Sequence, residues 1–196
     1  MAREKRKKAT RKSPRTLLIA TNGQLTEQFY LKEMVQRLRG EQVRAAVQFV
    51  NGDPTTMLRD LRRPRGGTDG FDEVWLVFDE DAVDRGAIIT ECRKISTSSQ
   101  KWHAVVSRPC FETWLVAHYE QVRRYGNPRD AQRHLASLIP PGTPSKALPG
   151  DFPYQAVDEA ELRCRLPGDD LEERDAMPPS PGSGMPHLIR ALRGES

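Results

Sequence analysis

Residues 71–81 read Phe-Asp-Glu-Val-Trp-Leu-Val-Phe-Asp-Glu-Asp (FDEVWLVFDED). Five mostly apolar residues, Val74–Phe78, run directly into Asp79-Glu80-Asp81. A short continuous apolar run predicts a strand buried on both faces, as in a parallel sheet covered by helices. Ligands of such sheets gather at the carboxyl ends of the strands, where this acidic triplet falls. Asp79 and Asp81 would share a face if the strand ran through Asp81, and at a strand-to-loop junction they still converge. Two convergent carboxylates repel each other, and a hard divalent cation relieves that repulsion.

Outward from this strand the chain alternates. Thr16–Thr21 (TLLIAT) predicts the first strand, broken by Asn22-Gly23, and a helix follows over Thr26–Arg39 with Phe29, Tyr30, Met34 and Leu38 inward and Gly40 at its end. Val43–Val50 predicts the second strand. Asp53-Pro54 supplies an N-cap and a first-turn proline to a short helix with Met57, Leu58 and Leu61 on its apolar side. Arg62–Gly70 (RRPRGGTDG) is a polar, glycine-rich loop. After the central strand, Arg85–Ser96 predicts a helix and Trp102–Val106 the fourth strand. Pro109 opens the helix CFETWLVAHYE, and Asn127-Pro128 opens another to Leu138. The expectation is a doubly wound α/β fold with a mainly parallel four-stranded sheet and helices on both faces. Beyond Ile139 the chain turns proline-rich. Asp158–Arg165 and His187–Arg193 predict short helices and Met177–Pro186 an irregular segment, so residues 139–196 form a helical appendage to the same domain.

The chain has 196 residues, enough for one domain with a real core. No run approaches transmembrane length, and no apolar segment behind the basic start makes a secretory signal. Its three cysteines stand far apart without a CxxC spacing, which argues against a disulfide framework or zinc site and fits a cytoplasmic location. The formal charge of +4 is unevenly placed: residues 1–15 hold eight of the 31 basic residues and one of the 27 acidic ones, leaving −3 for the remainder. The expectation for 1–15 is a disordered basic tail, either a solubilising extension or a nucleic-acid contact through residues such as Lys7 and Lys8.

Three segments together resemble a known family. They are Leu18–Glu27 (LIATNGQLTE) with Phe29-Tyr30, Val74–Asp81 (VWLVFDED), and Ser107–Leu115 (SRPCFETWL) ending in His118-Tyr119. Their order and spacing are similar to the RloB-like family, which carries a Toprim-type domain. Pro178-Pro179-Ser180 through His187–Leu192 is similar to the family's closing motif, and Lys146 to a lysine ahead of it. The resemblance implies a Toprim-like (Rossmann-like) domain in which clustered acids hold Mg²⁺ or Mn²⁺. It further implies a nuclease of DNA or RNA acting in anti-phage defence beside an ATPase of the ABC/AAA type. One departure stands out. Toprim domains place a glutamate directly before the glycine after the first strand, where this chain has Asn22. Asn22 can ligate through its carbonyl but brings no charge.

The candidate metal ligands are therefore Asp79, Asp81, Glu112 and Asn22, with Glu27 and Glu112 completing the chemistry directly or through water. A lone DxD would otherwise read as solvated acids. Glu112 and Glu27 each sit in a first helical turn, where a carboxylate complementing the helix dipole is the plainer reading. Lys146 is a phosphate contact or leaving-group stabiliser, or a solvent-exposed lysine. Arg62, Arg63 and Arg65 are candidate backbone contacts. Glu80 reads as a salt-bridge residue, His118 as a satisfied half-buried histidine, and Cys110 as a small buried residue. The rival to a metal-dependent nuclease is a non-catalytic regulatory or nucleic-acid-binding subunit of the same ATPase assembly, with Asn22 marking a degenerate site.

Overall fold

The computed structural model describes residues 13–81, 83–141, 143 and 147–195. The expected alternation forms. In order come β1 (Arg15–Thr21), α1 (Thr26–Arg37), β2 (Val43–Phe49), α2 (Pro54–Leu61), β3 (Glu73–Asp79), α3 (Gly86–Ile95), β4 (Lys101–Arg108), α4 (Glu112–Ala117) and α5 (Pro128–Leu138). A 3-10 turn (Tyr154–Ala156), α6 (Val157–Arg163), β5 (Gly182–Ser183) and α7 (Met185–Arg193) follow. The sheet order is β2-β1-β3-β4-β5, with the first four strands parallel and β5 antiparallel to β4. The local signals act as predicted. The Asp53 carboxylate accepts from the Thr55 and Thr56 amides at 2.8 and 3.0 Å, and Asn127 Oδ1 accepts from the Asp130 amide at 3.2 Å.

Strand alternation divides the core. Leu17, Ile19, Trp75, Val77 and Val105 meet Tyr30, Trp114 and Leu188 on one face. Leu18, Ala20, Leu76, Phe78 and Val106 meet Met57, Leu61, Ile89 and Cys92 on the other. The first face thus carries α1, α4 and the C-terminal elements; the second carries α2 and α3. Phe152, Tyr154, Val157 and Ile189 join the first core, so the C-terminal third packs on the same sheet.

Three expectations change. The sheet has five strands among the described residues, not four, because Gly182–Ser183 pairs with β4 inside the stretch read as irregular. Ser183 and Ser107 share a buried hydroxyl hydrogen bond of 2.9 Å, and a Cβ at Gly182 would lie 2.5 Å from the Pro179 carbonyl. Two residues carry no periodicity, so composition hides such a strand. Phe29 does not face inward: it is 53% exposed, while Tyr30, Leu31 and Met34 make the buried stripe. Arg15, counted with the basic tail, begins β1; its guanidinium pairs with buried Glu73 at 3.1 Å and donates to the Ala191 carbonyl at 3.0 Å. Lys7 and Lys8 lie outside the described residues.

His118 is buried beneath α1, as its apolar setting suggests. The Pro153 carbonyl, 3.0 Å from Nδ1, can only accept, so Nδ1 carries the proton and Nε2 accepts from the Tyr30 hydroxyl at 2.9 Å. Burial lowers its pKa to about 4. The folded chain therefore binds fewer protons than the unfolded chain between that value and the ordinary 6.5, and stability falls as pH drops through this window. The expected loss from His118 is on the order of 2 kcal/mol between pH 7 and pH 5. Urea unfolding of wild type and His118→Gln at both pH values checks it. The variant's pH sensitivity should be smaller by that amount, and equal sensitivity would refute the assignment.

Candidate active site at the switch point of the sheet

The chain moves from β1 outward to β2, then crosses back to place β3 on the other side of β1. The helices leaving β1 and β3 consequently lie on opposite faces, and a crevice opens between the carboxyl ends of these two strands. Asp79 closes β3 there. Parallel pairing sets Asp79 level with Ser107 of β4, and Thr21 of β1 level with Val77. The loops after β1 and β4 therefore emerge on either side of Asp79.

Asp79 follows Trp75 and Val77 in alternation and so points to the α1 and α4 side. The backbone N–H of Phe111, in the loop leading to α4, favours the charged form of Asp79. Its pKa is raised well above the carboxylate range, first by burial and then by the charges of Glu27, Glu112 and Asp81. Three other predicted acids are thus felt at the Asp79 carboxyl group, the four coming from three chain segments. Asp81 lies beyond the strand end, exposed and left-handed (φ 52°), so the shared-face arrangement of a continuous strand does not form. Glu80 turns away and takes the Arg108 guanidinium at 2.7 Å, the salt bridge predicted for it. Buried Arg85 donates to the Asp79 and Glu80 carbonyls at 3.3 and 3.1 Å, clamping the strand end.

At the end of β1, Asn22 donates its side-chain amide to the Gly52 carbonyl at 3.2 Å, tying this turn to the loop after β2. Gly23 answers a packing demand: a Cβ there would lie 2.0 Å from Cδ of Glu27. The Glu27 carboxylate is folded back over the Gly23 backbone, directly after the position where a glutamate was expected. Glu112, the first residue of α4, contacts the Cys110 thiol. Burial and that carboxylate push the thiol pKa up, and Cys92 and Cys164 are likewise raised, to about 12 and about 11. None of the three is poised as a thiolate nucleophile.

Among the described residues no three acidic, histidine or cysteine side chains stand in ready-made cation-holding geometry. The acids meet instead as an electrostatic cluster, with oxygen donors only, in a half-buried crevice. That donor set fits a hard divalent cation such as Mg²⁺ or Mn²⁺ and not a soft one.

The remaining candidates lie elsewhere. Arg62 and Arg63 pair with Glu91 and Asp60, and with Arg65 they occupy the return from α2 to the amino end of β3. Lys146 is outside the described residues. A feature missed in the sequence lies beside Glu112: a groove of about 890 Å³ bounded by Thr26, Glu112, Arg129, Arg133, Ile139 and Leu148. Arg129 and Arg133 are four apart and so share a face of α5, a legible signal; which sheet edge that face borders was not legible.

Asp79 carries the sharpest consequence. Above the ordinary carboxylate range the unfolded chain has lost a proton that the folded chain still holds on Asp79, so this group costs stability as pH rises through its raised pKa. In EDTA at pH 8, Asp79→Asn is expected to raise the Tm, each kcal/mol relieved showing as roughly 2–4 °C. Mn²⁺ should raise the wild-type Tm and leave the variant's unmoved; a destabilised variant would sink this account. Gly23→Ala displaces only the far end of a flexible side chain. It should fold normally and show a blunted Mn²⁺ response, whereas a full response would remove Glu27 from the site.

No match exists among curated proteins or solved structures. No helix among the described residues is long and apolar enough to cross a membrane. The profile of the RloB-like protein family, however, matches residues 17–192, a span that runs from within β1 into α7 and holds all four clustered acids, and the chain belongs to the RloB-like family.

Proposed function

We propose that this chain is a divalent-cation-dependent nuclease with a Toprim-like site, hydrolysing phosphodiester bonds of DNA or RNA. The observation that carries the reading is the convergence of Glu27, Asp81 and Glu112 on Asp79 at the switch point of the sheet. Burial and like charges raise the cost of the charged form of Asp79 in this crevice, an arrangement that suits cation binding. Asp79 and Asp81 would hold Mg²⁺ or Mn²⁺, with Glu112 and Glu27 completing the set. When bound, such an ion polarises a phosphate oxygen and lowers the pKa of the attacking water.

The chain's own groups prepare that site. The Phe111 amide favours the charged form of Asp79, and Arg85 fixes the backbone beneath it. Glu27, lying over Gly23, supplies at the end of β1 the negative charge that Asn22 lacks. A carboxylate held there is also placed to take a proton from water. Family membership and the motif resemblance support a cytoplasmic role in anti-phage defence, gated by an ABC/AAA-type ATPase, since unrestrained cleavage would harm the host.

The second reading, a degenerate regulatory or nucleic-acid-binding subunit of that assembly, is favoured by Asn22 and by the absence of ready-made ligand geometry among the described residues. Purified chain, with and without its cognate ATPase, is to be incubated with labelled plasmid, single-stranded DNA and tRNA in Mn²⁺ or EDTA. Expected is Mn²⁺-dependent cleavage that falls about 10²-fold or more in Asp79→Ala, as loss of several kcal/mol of charge stabilisation implies. Cleavage equal in wild type and variant refutes the nuclease. Activity that arises only in Asn22→Glu would identify a decayed site.

A further inference from the structure

The groove beside Glu112 has two kinds of wall. Arg129 and Arg133 stand on the exposed face of α5. Leu135, Ile139 and Leu148 give an apolar side. Thr26, next to Glu27, and Glu112 form the end that meets the acidic cluster. The groove is therefore continuous with the candidate site. Its volume of about 890 Å³ falls within the roughly 300–1,000 Å³ typical of small-ligand sites.

Arginines beside an apolar wall suit a ligand with an anionic group on a flat, largely apolar body. Arg133 leans on Asp130, but Arg129 has no hydrogen bond or ion pair among the described residues. Exposed apolar side chains also stand close to the acids along the chain. Leu25 (55%) and Phe29 (53%) flank Glu27, and Val83 (52%) follows Asp81 by two. An apolar wall faced by arginines beside the candidate site is what unpaired bases require. Each base offers a π-face to stack while the backbone follows the positive charge. A duplex hides its base faces and would lie across the mouth of the groove instead of entering it.

Resting on the nuclease reading, we infer that the substrate is single-stranded. One unpaired nucleotide of DNA or RNA sits in the groove, its base against the Leu135, Ile139 and Leu148 wall and its phosphate on Arg129 and Arg133. Phe29 is a stacking platform on the other side of the acids. The neighbouring phosphodiester then falls at Asp79.

The test is binding of the full chain to fluorescein-labelled 12-mers in EDTA, read by anisotropy and therefore independent of cleavage. The probes are dT12, rU12, the dT12·dA12 duplex and an abasic 12-mer. Expected is at least 10-fold tighter binding of dT12 or rU12 than of duplex, and a loss of about 10-fold with the abasic strand. Arg129→Ala/Arg133→Ala should weaken single-strand binding about 10-fold and reduce the salt slope by about 1. Phe29→Ala should weaken binding with no change in salt slope. The basic residues 1–12 are common to all variants and cancel from the comparisons between variants on one probe, and a thermal melt verifies folding. Comparing dT12 with rU12 identifies which backbone is preferred. Equal affinity for duplex and single strand, or an arginine variant indistinguishable from wild type, overturns the inference even where Mn²⁺-dependent cleavage of duplex DNA upholds the nuclease. Single-strand preference without cleavage by any form of the protein supports the groove and rejects the nuclease.

Discussion

The parallel register of β1, β3 and β4 is the constraint on which the site depends. β3 is hydrogen-bonded on both sides, to β1 and to β4, and its residues from Glu73 to Phe78 are buried. A strand held this way cannot slip by one residue without sending Trp75 and Val77 to the wrong core. Its last residue is therefore a fixed point. The loops after β1 and β4 must emerge level with it, and through Glu27 and the Phe111–Glu112 segment they deliver groups to Asp79. Glu27, Asp79 and Glu112 are far apart in sequence; the register makes them neighbours.

Holding like charges together costs stability, and the surroundings limit that cost without cancelling it. The Phe111 amide is the group at Asp79 that favours its charged form. Arg85 is close by but spends its Nε–H on two carbonyls, and Arg108 is taken by Glu80 and the Pro178 carbonyl. These arginines steady the backbone around the cluster. At the far side of the same core, Arg190 and Arg193 are taken up by the Glu161 carboxylate.

The elements most visible in the sequence were those whose signals are local. Asp53-Pro54 and Asn127-Pro128 announce helix starts because capping is decided within four residues. The run Val74–Phe78 announces a central strand because burial on both faces leaves no polar alternation. Glu80 and His118 also took the roles their settings suggested. What stayed hidden depended on pairing at a distance. β5 is two residues long and exists through Ser107 and the Val106 carbonyl, more than 70 residues earlier. Phe29 was misplaced because Tyr30, Leu31 and Met34 already fill the inward stripe, a choice between adjacent faces that a periodic pattern leaves open. The groove needs α5 packed beside α4, which no local signal declares.

Asn22 is where local and distant information conflict. Read alone, an asparagine in place of an acid subtracts a charge from the site. The fold supplies a second route to that charge, because Gly23 has no side chain and the first turn of α1 begins only three residues later. Glu27 can then reach back over the turn. The two arrangements differ physically. An acid on the strand-end residue would be held by the sheet, whereas Glu27 is held by a helix start and by the space at Gly23. Asn22 in turn is released to bind the Gly52 carbonyl and brace the loop opposite. A carboxylate carried on the helix turn instead of the strand end is less rigidly held, the crevice wall is braced in exchange, and the charge at the end of β1 depends on a glycine.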